Sequence, residues 1–147
     1  MDHDTAFDLR DFLPYLLNMA AEDSGLRFQA AYRDRYGMLR TEWRVLFHLG
    51  RYGDMTAKEI CDRARIHKTK VSRAVARLEQ RRFLKRTEVE TDRRHAMLRL
   101  TSSGQSAYKD LSETARVFDQ GLSADFTEEE QTVLRKCLRH LARLPVQ

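Results

Sequence analysis

Thr69, Lys70, Ser72, Arg73 and Arg77 are the side chains of this chain best placed to do chemistry, and that chemistry is hydrogen bonding and positive charge rather than bond making. In RIHKTKVSRAVARLEQRRFL, residues 65–84, Val71, Ala74, Val75 and Leu78 recur on one face of a 3.6-residue helix. Thr69, Arg73, Ala76, Arg77 and Gln80 fall on the opposite face, flanked by Lys70 and Ser72. One face can pack while the other presents donors of the kind that read DNA base edges and hold phosphate oxygens. Nine basic residues and one acidic residue, Glu79, lie between Arg65 and Arg86, denser than a merely solvated face requires. A second group follows in ETDRRHAMLRLT, residues 90–101, where Arg93 and Arg94 stand side by side behind Asp92.

Bond-making chemistry finds no support. The five histidines, His3, His48, His67, His95 and His140, show no HxxxH or HExxH spacing, and no nucleophile–base arrangement is visible. No catalytic residue, metal site or cofactor is therefore expected, and the chain does not read as an enzyme. Cys61 and Cys137 lie 76 residues apart without a CxxC pattern. They read as reduced thiols in the core, with a thiol-based redox sensor as the competing reading.

The elements that must position these residues follow from periodicity and punctuation. At 147 residues the chain suits one core. No apolar run is long enough to cross a membrane, and the acidic start MDHDTAFDLRD is unlike a secretory leader, so a cytoplasmic protein without membrane contact is expected. The net charge of +5 is uneven: residues 1–37 carry −3, residues 38–100 carry +9 and residues 101–147 carry −1. A basic block between mildly acidic flanks points to one surface for a polyanion, with the flanks doing another job. A long first helix is expected from Leu13–Pro14 to about Asp34, with Gly37 as its stop. A second runs from Thr41, as its cap, to Leu49. Thr56 and Glu59 in TAKE form a capping box for a short helix to Ala64, with Ile60 and Cys61 inward. After the basic helix the period changes to two: Leu84–Val89 and Ala96–Leu100 read as a hairpin joined by Glu90–Arg94. Thr101 caps a helix reaching about Phe118, and Thr127 with Glu130 caps a last helix whose Val133, Leu134, Cys137, Leu138, Leu141 and Leu144 form an apolar stripe.

Short helix, tight turn, basic helix and two-stranded ribbon, in that order, make a winged helix-turn-helix. The fold class expected is mainly α with a small β-hairpin wing: a DNA-binding lobe at 38–100 between helical flanks at 1–37 and 101–147. The basic helix would lie in the major groove, and an arginine at the hairpin tip would enter the narrow, negative minor groove beside it. A winged helix reused as a protein-interaction module is the alternative, but such a module would make the outer face of residues 69–77 apolar.

The chain resembles regulators of the MarR (multiple antibiotic resistance) family over nearly its whole length. The resemblance is carried by LRTEWRVLFHL (39–49), TAKEICDRARIHKTKVSRAVARLEQRRFLKR (56–86), the wing pattern Asp92-Arg93-Arg94, and Leu100-Thr101 with Gly104. It implies a homodimer built by the terminal helices, binding of double-stranded DNA at a pseudo-palindromic operator, repression, and release by a small, often aromatic or phenolic, anionic ligand. On this pattern Lys68, Thr69, Lys70, Ser72, Arg73 and Arg77 are expected to contact DNA from the recognition helix, with Arg73 suited to a guanine, and Arg86 and Lys85 to lie near phosphates. Arg94 is assigned to the minor groove, Arg93 to a phosphate or to the same role in its place, and Asp92 to bracing an arginine, unless it merely forms the turn. The family's hydroperoxide sensors carry their cysteine near the start of the first long helix, where this chain has none. Phe12, Tyr15, Tyr32, Tyr36, Trp43 and Phe47 are candidates to line an effector pocket, with Arg40 or Arg44 for an anion; core packing is the alternative for most of the aromatics.

Overall fold

The computed structural model describes residues 6–87 and 96–145. A single 3-10 turn at Leu9–Asp11 leads into helix α1 (Leu13–Tyr36). Pro14 sits in its first turn, and Gly37 ends it in the left-handed conformation, φ 60°. Helix α2 (Arg40–Tyr52) begins one residue earlier than the sequence predicts. Thr41 is not its cap: Glu42, three residues beyond Leu39, reaches back so that Oε2 accepts the Leu39 N–H at 3.0 Å. A threonine beside an arginine reads as a start signal, but the acid in the first turn supplies the acceptor.

Strand β1 (Met55–Thr56) precedes α3 (Ala57–Ala64), and α4 (Lys68–Gln80) is followed by β2 (Leu84–Thr87) and β3 (Met97–Leu100). The sheet is antiparallel in the order β1-β3-β2, with Met55 opposite Leu98 and Leu84 opposite Leu100. The expected two-stranded ribbon thus has a third strand, which two residues were too short to announce by alternation. Thr56 accepts the Glu59 N–H at 3.2 Å, the threonine half of the box.

Helix α5 (Ser102–Leu122) extends a turn past the expected end, and α6 (Glu128–Leu141) carries both halves of its capping box on Thr127 and Glu130. The core gathers Val45, Leu46 and Leu49 of α2, Ile60 of α3, the Val71–Leu78 face of α4, and Leu84, Leu98 and Leu100 of the sheet. Tyr32 of α1 and Ala107 and Leu111 of α5 complete it. A clamp fixes α1 to α5: Arg35 Nη1 lies 3.1 Å from Asp110 Oδ1, and the Tyr36 hydroxyl donates to Oδ2 at 2.7 Å. That donation, with the Arg35 charge, holds the Asp110 carboxyl below its usual range.

Helix α6 contributes no buried residue to this chain. Its stripe of Val133, Leu134, Leu138, Leu141 and Leu144 is exposed, as are Phe7, Phe12, Leu13 and Leu16 at the other terminus. Cys137 is therefore exposed, contrary to the core position read from the stripe, whereas Cys61 is half-buried against the core. Amphipathic spacing shows that a face is apolar; it does not say whether the same chain covers it. No helix among the described residues is long and apolar enough to cross a membrane.

Candidate nucleic-acid interface

Local chemistry sets the angle between α3 and α4. Arg65 ends α3 with φ 55°, a left-handed conformation uncommon for a residue with a Cβ. Two residues later His67 caps α4, its Nδ1 accepting the Thr69 N–H at 3.2 Å. Histidine is outside the usual capping set, so its residue type carries no cue to this role. The turn presents α4 with Val71, Ala74, Val75 and Leu78 buried and Lys68, Thr69, Lys70, Ser72, Arg73 and Arg77 exposed.

The exposed side chains differ in what they already hold. Among the described residues, those of Lys68, Lys70, Ser72 and Arg73 have no hydrogen-bond or ion-pair partner. Arg77 is tied instead: its Nε lies 3.4 Å from Oε1 of Glu42, a carboxylate only 1% exposed. Arg86 of β2 is tied likewise to Glu79, Nε to Oε2 at 3.1 Å. Lys85 beside it is exposed. Arg99, which the sequence reading did not single out, binds Asp54 Oδ2 through Nε at 2.8 Å and Nη2 at 2.7 Å. It thereby straps β3 to the turn before β1, and the Asp54 carboxylate raises the Arg99 pKa. Asp92, Arg93 and Arg94 lie outside the described residues. Their flanks do not: Thr87 pairs with Met97, so β2 ends beside the start of β3.

A cleft of about 480 Å³ lies where α1, α2 and α5 meet, lined by Phe28, Tyr32, Arg40, Trp43, Arg44 and Phe118 among others. Tyr32 stacks on Trp43 with centroids 5.5 Å apart, and Phe28 meets Trp43 edge-on at 5.4 Å. The Trp43 Nε1 is buried without a partner. Arg44 donates from Nη2 to the Ala64 carbonyl at 2.7 Å. Burial, and then the like charge of Arg40, lower the Arg44 pKa; an anion between the two guanidinium groups would offset their repulsion. Of the eight residues expected here, the structure brings Tyr32, Arg40, Trp43 and Arg44 to the cleft. Phe12 and Tyr15 stand at the far end of α1, Tyr36 is engaged with Asp110, and Phe47 packs on Tyr108. Phe28 and Phe118 take their places, because periodicity alone does not tell which turn of the 24-residue helix α1 faces α2.

Comparisons with known proteins agree with this geometry. A MarR-family sequence profile matches residues 36–95, the span from the end of α1 through the recognition helix and beyond. The uncharacterized HTH-type transcriptional regulator YwoH of Bacillus subtilis is 30% identical over 76% of this chain and 78% of its own. The crystal structure of a MarR/EmrR family transcriptional regulator from Acinetobacter sp. ADP1 superposes with a TM-score of 0.82 at 28% identity, covering 93% of this chain and 96% of that one. Bordetella bronchiseptica BpsR, whose DNA binding is regulated by 6-hydroxynicotinic acid, shares the fold at a TM-score of 0.83 and 19% identity, over 95% and 99% of the two chains. A winged helix-turn-helix fold matched in sequence and in structure by transcriptional regulators identifies the chain as a member of the MarR family of DNA-binding transcriptional regulators.

Proposed function

We propose that the protein is a homodimeric repressor that binds a pseudo-palindromic operator and is released from it by a small aromatic anion. The observation that carries the DNA-reading part is the outer face of α4, where Lys68, Thr69, Lys70, Ser72 and Arg73 stand exposed opposite a fully packed face. Residues 38–100 form the DNA-binding lobe; residues 1–37 and 101–147 form the dimerisation region. Arg94, from the segment after β2, enters the minor groove, with Arg93 on a phosphate or in its place and Asp92 bracing an arginine. The dimer is favoured by the uncovered apolar residues of α6 and of the chain's start, since exposed apolar faces mark sites of association. An aromatic, anionic effector is favoured by the cleft, where the rings of Phe28, Tyr32 and Trp43 stand beside two arginines and an unpartnered indole N–H.

Selection of bound duplexes from a random pool tests the reading directly. The expected product is an inverted repeat with half-site centres about 10 bp apart, bound with an affinity that falls steeply with salt. A pool that returns no preferred sequence would remove the operator. Aromatic acids, 6-hydroxynicotinic acid first and aromatic thioesters after it, are then screened for release of the selected duplex, and the response should disappear in Arg40→Ala. Dimerisation has its own check: Leu134→Asp with Leu138→Asp should yield a monomer by sedimentation velocity with the helical spectrum of α1–α5 retained. A dimer surviving both charges would place the interface elsewhere.

A further inference from the structure

The two arginines of the recognition helix are not equivalent. Arg73 and Arg77 are four residues apart and both exposed, yet only Arg77 has an anionic partner among the described residues. That partner is unusual. Glu42 is the one buried charged residue among the described residues, 1% exposed. Its Oε2 is satisfied by the Leu39 N–H at 3.0 Å, but its Oε1 is buried without any hydrogen bond. The nearest countercharge is the Arg77 Nε at 3.4 Å, on a side chain 54% exposed. A buried carboxylate stripped of its countercharge is strongly unfavourable, much more so than an exposed arginine without one. The pair is therefore asymmetric: Glu42 needs Arg77 more than Arg77 needs Glu42.

Phosphate binding draws on unbalanced positive charge. A cation contributes to the release of counterions from DNA when its charge neutralises a phosphate, and the slope of log affinity against log salt counts such events. Arg77 is already neutralised from inside the protein. Shifting it onto a phosphate would leave a negative charge buried beneath α4. We propose that Glu42 is a positioning residue that withholds Arg77 from the phosphate-neutralising set, so that the lobe contacts DNA with one cation fewer per chain than its sequence displays. The inference rests on the reading that the outer face of α4 meets DNA. Its placement also matters for regulation: Glu42 lies in the first turn of α2 between Arg40 and Trp43, both of which line the cleft. A movement of that turn moves the anion that holds Arg77.

The test is the salt dependence of binding to a random-sequence duplex about three helical turns long, titrated by fluorescence anisotropy between about 50 and 200 mM salt. Glu42→Gln keeps an oxygen for the Leu39 N–H and removes the charge. It should steepen the slope by about 0.9 per chain in contact with DNA, so that its gain over the unsubstituted protein shrinks about 3.5-fold across that range for one chain in contact and about 12-fold for two. Arg77→Gln in the otherwise unsubstituted protein should leave the slope unchanged. Glu42→Gln with Arg77→Gln should return to the starting slope. A Glu42→Gln slope equal to that of the unsubstituted protein would overturn the inference, as would a steepening that persists in the double variant. So would a fall of about one in Arg77→Gln alone, because Arg77 would then already neutralise a phosphate; where Arg77→Gln, which leaves the Glu42 charge uncompensated, folds poorly, the slopes of Glu42→Gln and of the double variant decide the matter. Absence of any salt-dependent binding by the unsubstituted protein is a different failure, removing the DNA reading of α4 and this inference with it.

Discussion

Arg73→Ala will bind the selected operator about 10- to 100-fold more weakly, a loss of roughly 1–3 kcal/mol, while its circular dichroism and melting temperature stay unchanged. The loss is expected to be large because Arg73 projects from the middle of the outer face of α4 with no partner among the described residues. Its guanidinium brings a planar pair of donors that matches the O6 and N7 acceptors of guanine. Stability should be indifferent, since an exposed side chain holding nothing contributes within about 0.5 kcal/mol either way. The test distinguishes two roles. If Arg73 reads a base, repeating the selection with the variant relaxes one position in each half-site and leaves the salt slope unchanged. If it holds a phosphate, all sequences weaken alike and the slope falls by about one. Undiminished affinity would take Arg73 out of the interface.

The second large effect is on stability. Gly104→Ala should cost at least the 1–3 kcal/mol, roughly, of an overpacked site and lower the melting temperature by about 2–4 °C for each kcal/mol. A Cβ at Gly104 would stand 2.0 Å from the Phe83 carbonyl oxygen, and that obstacle is backbone rather than the end of a flexible side chain. The same carbonyl accepts the Thr101 N–H at 3.0 Å, and the Thr101 hydroxyl donates to the Arg82 carbonyl at 2.6 Å. The first turn of α5 is thus seated on the bend that carries the chain from α4 into β2. Relieving the clash means lifting that seat, so Gly104→Ala should also weaken DNA binding. Ser103→Ala, one residue away on the exposed side of the turn, should change neither quantity. A melting temperature for Gly104→Ala equal to that of the unsubstituted protein would show that the bend yields freely.

Much of the fold is legible because its signals are local. The buried face of α4 was readable from Val71, Ala74, Val75 and Leu78, which lie within two turns of one another. The caps on Thr56, Thr101 and Thr127 were readable because a cap is made by residues three apart. The change from period 3.6 to period 2 after Leu84 located the sheet. Leu100, Thr101 and Gly104 carried one part of the family resemblance, and the seat of Gly104 under Phe83 supplies a physical reason for a glycine there.

What escaped was decided between elements. Strand β1 exists because β3 offers it an edge, and two residues carry no period. The cleft took Phe28 and Phe118, and left out Tyr36 and Phe47, because the register of α1 and α5 against α2 is a property of packed helices. The stripe on α6 was visible as an apolar face, but not as one that its own chain leaves uncovered.

By itself, then, the sequence determined the order of the elements, the polar face of the recognition helix and the concentration of charge in residues 38–100, all set by neighbours within a turn or two. Only the tertiary structure decided which of those charges are free. In the sequence Glu42 is an acid in a first helical turn, a position that ordinarily faces water, and Arg77 is one of nine cations in a basic stretch. Packing α4 across α2 buries the first and neutralises the second, because the energy of a charge depends on its surroundings and partners, which the chain acquires only on folding.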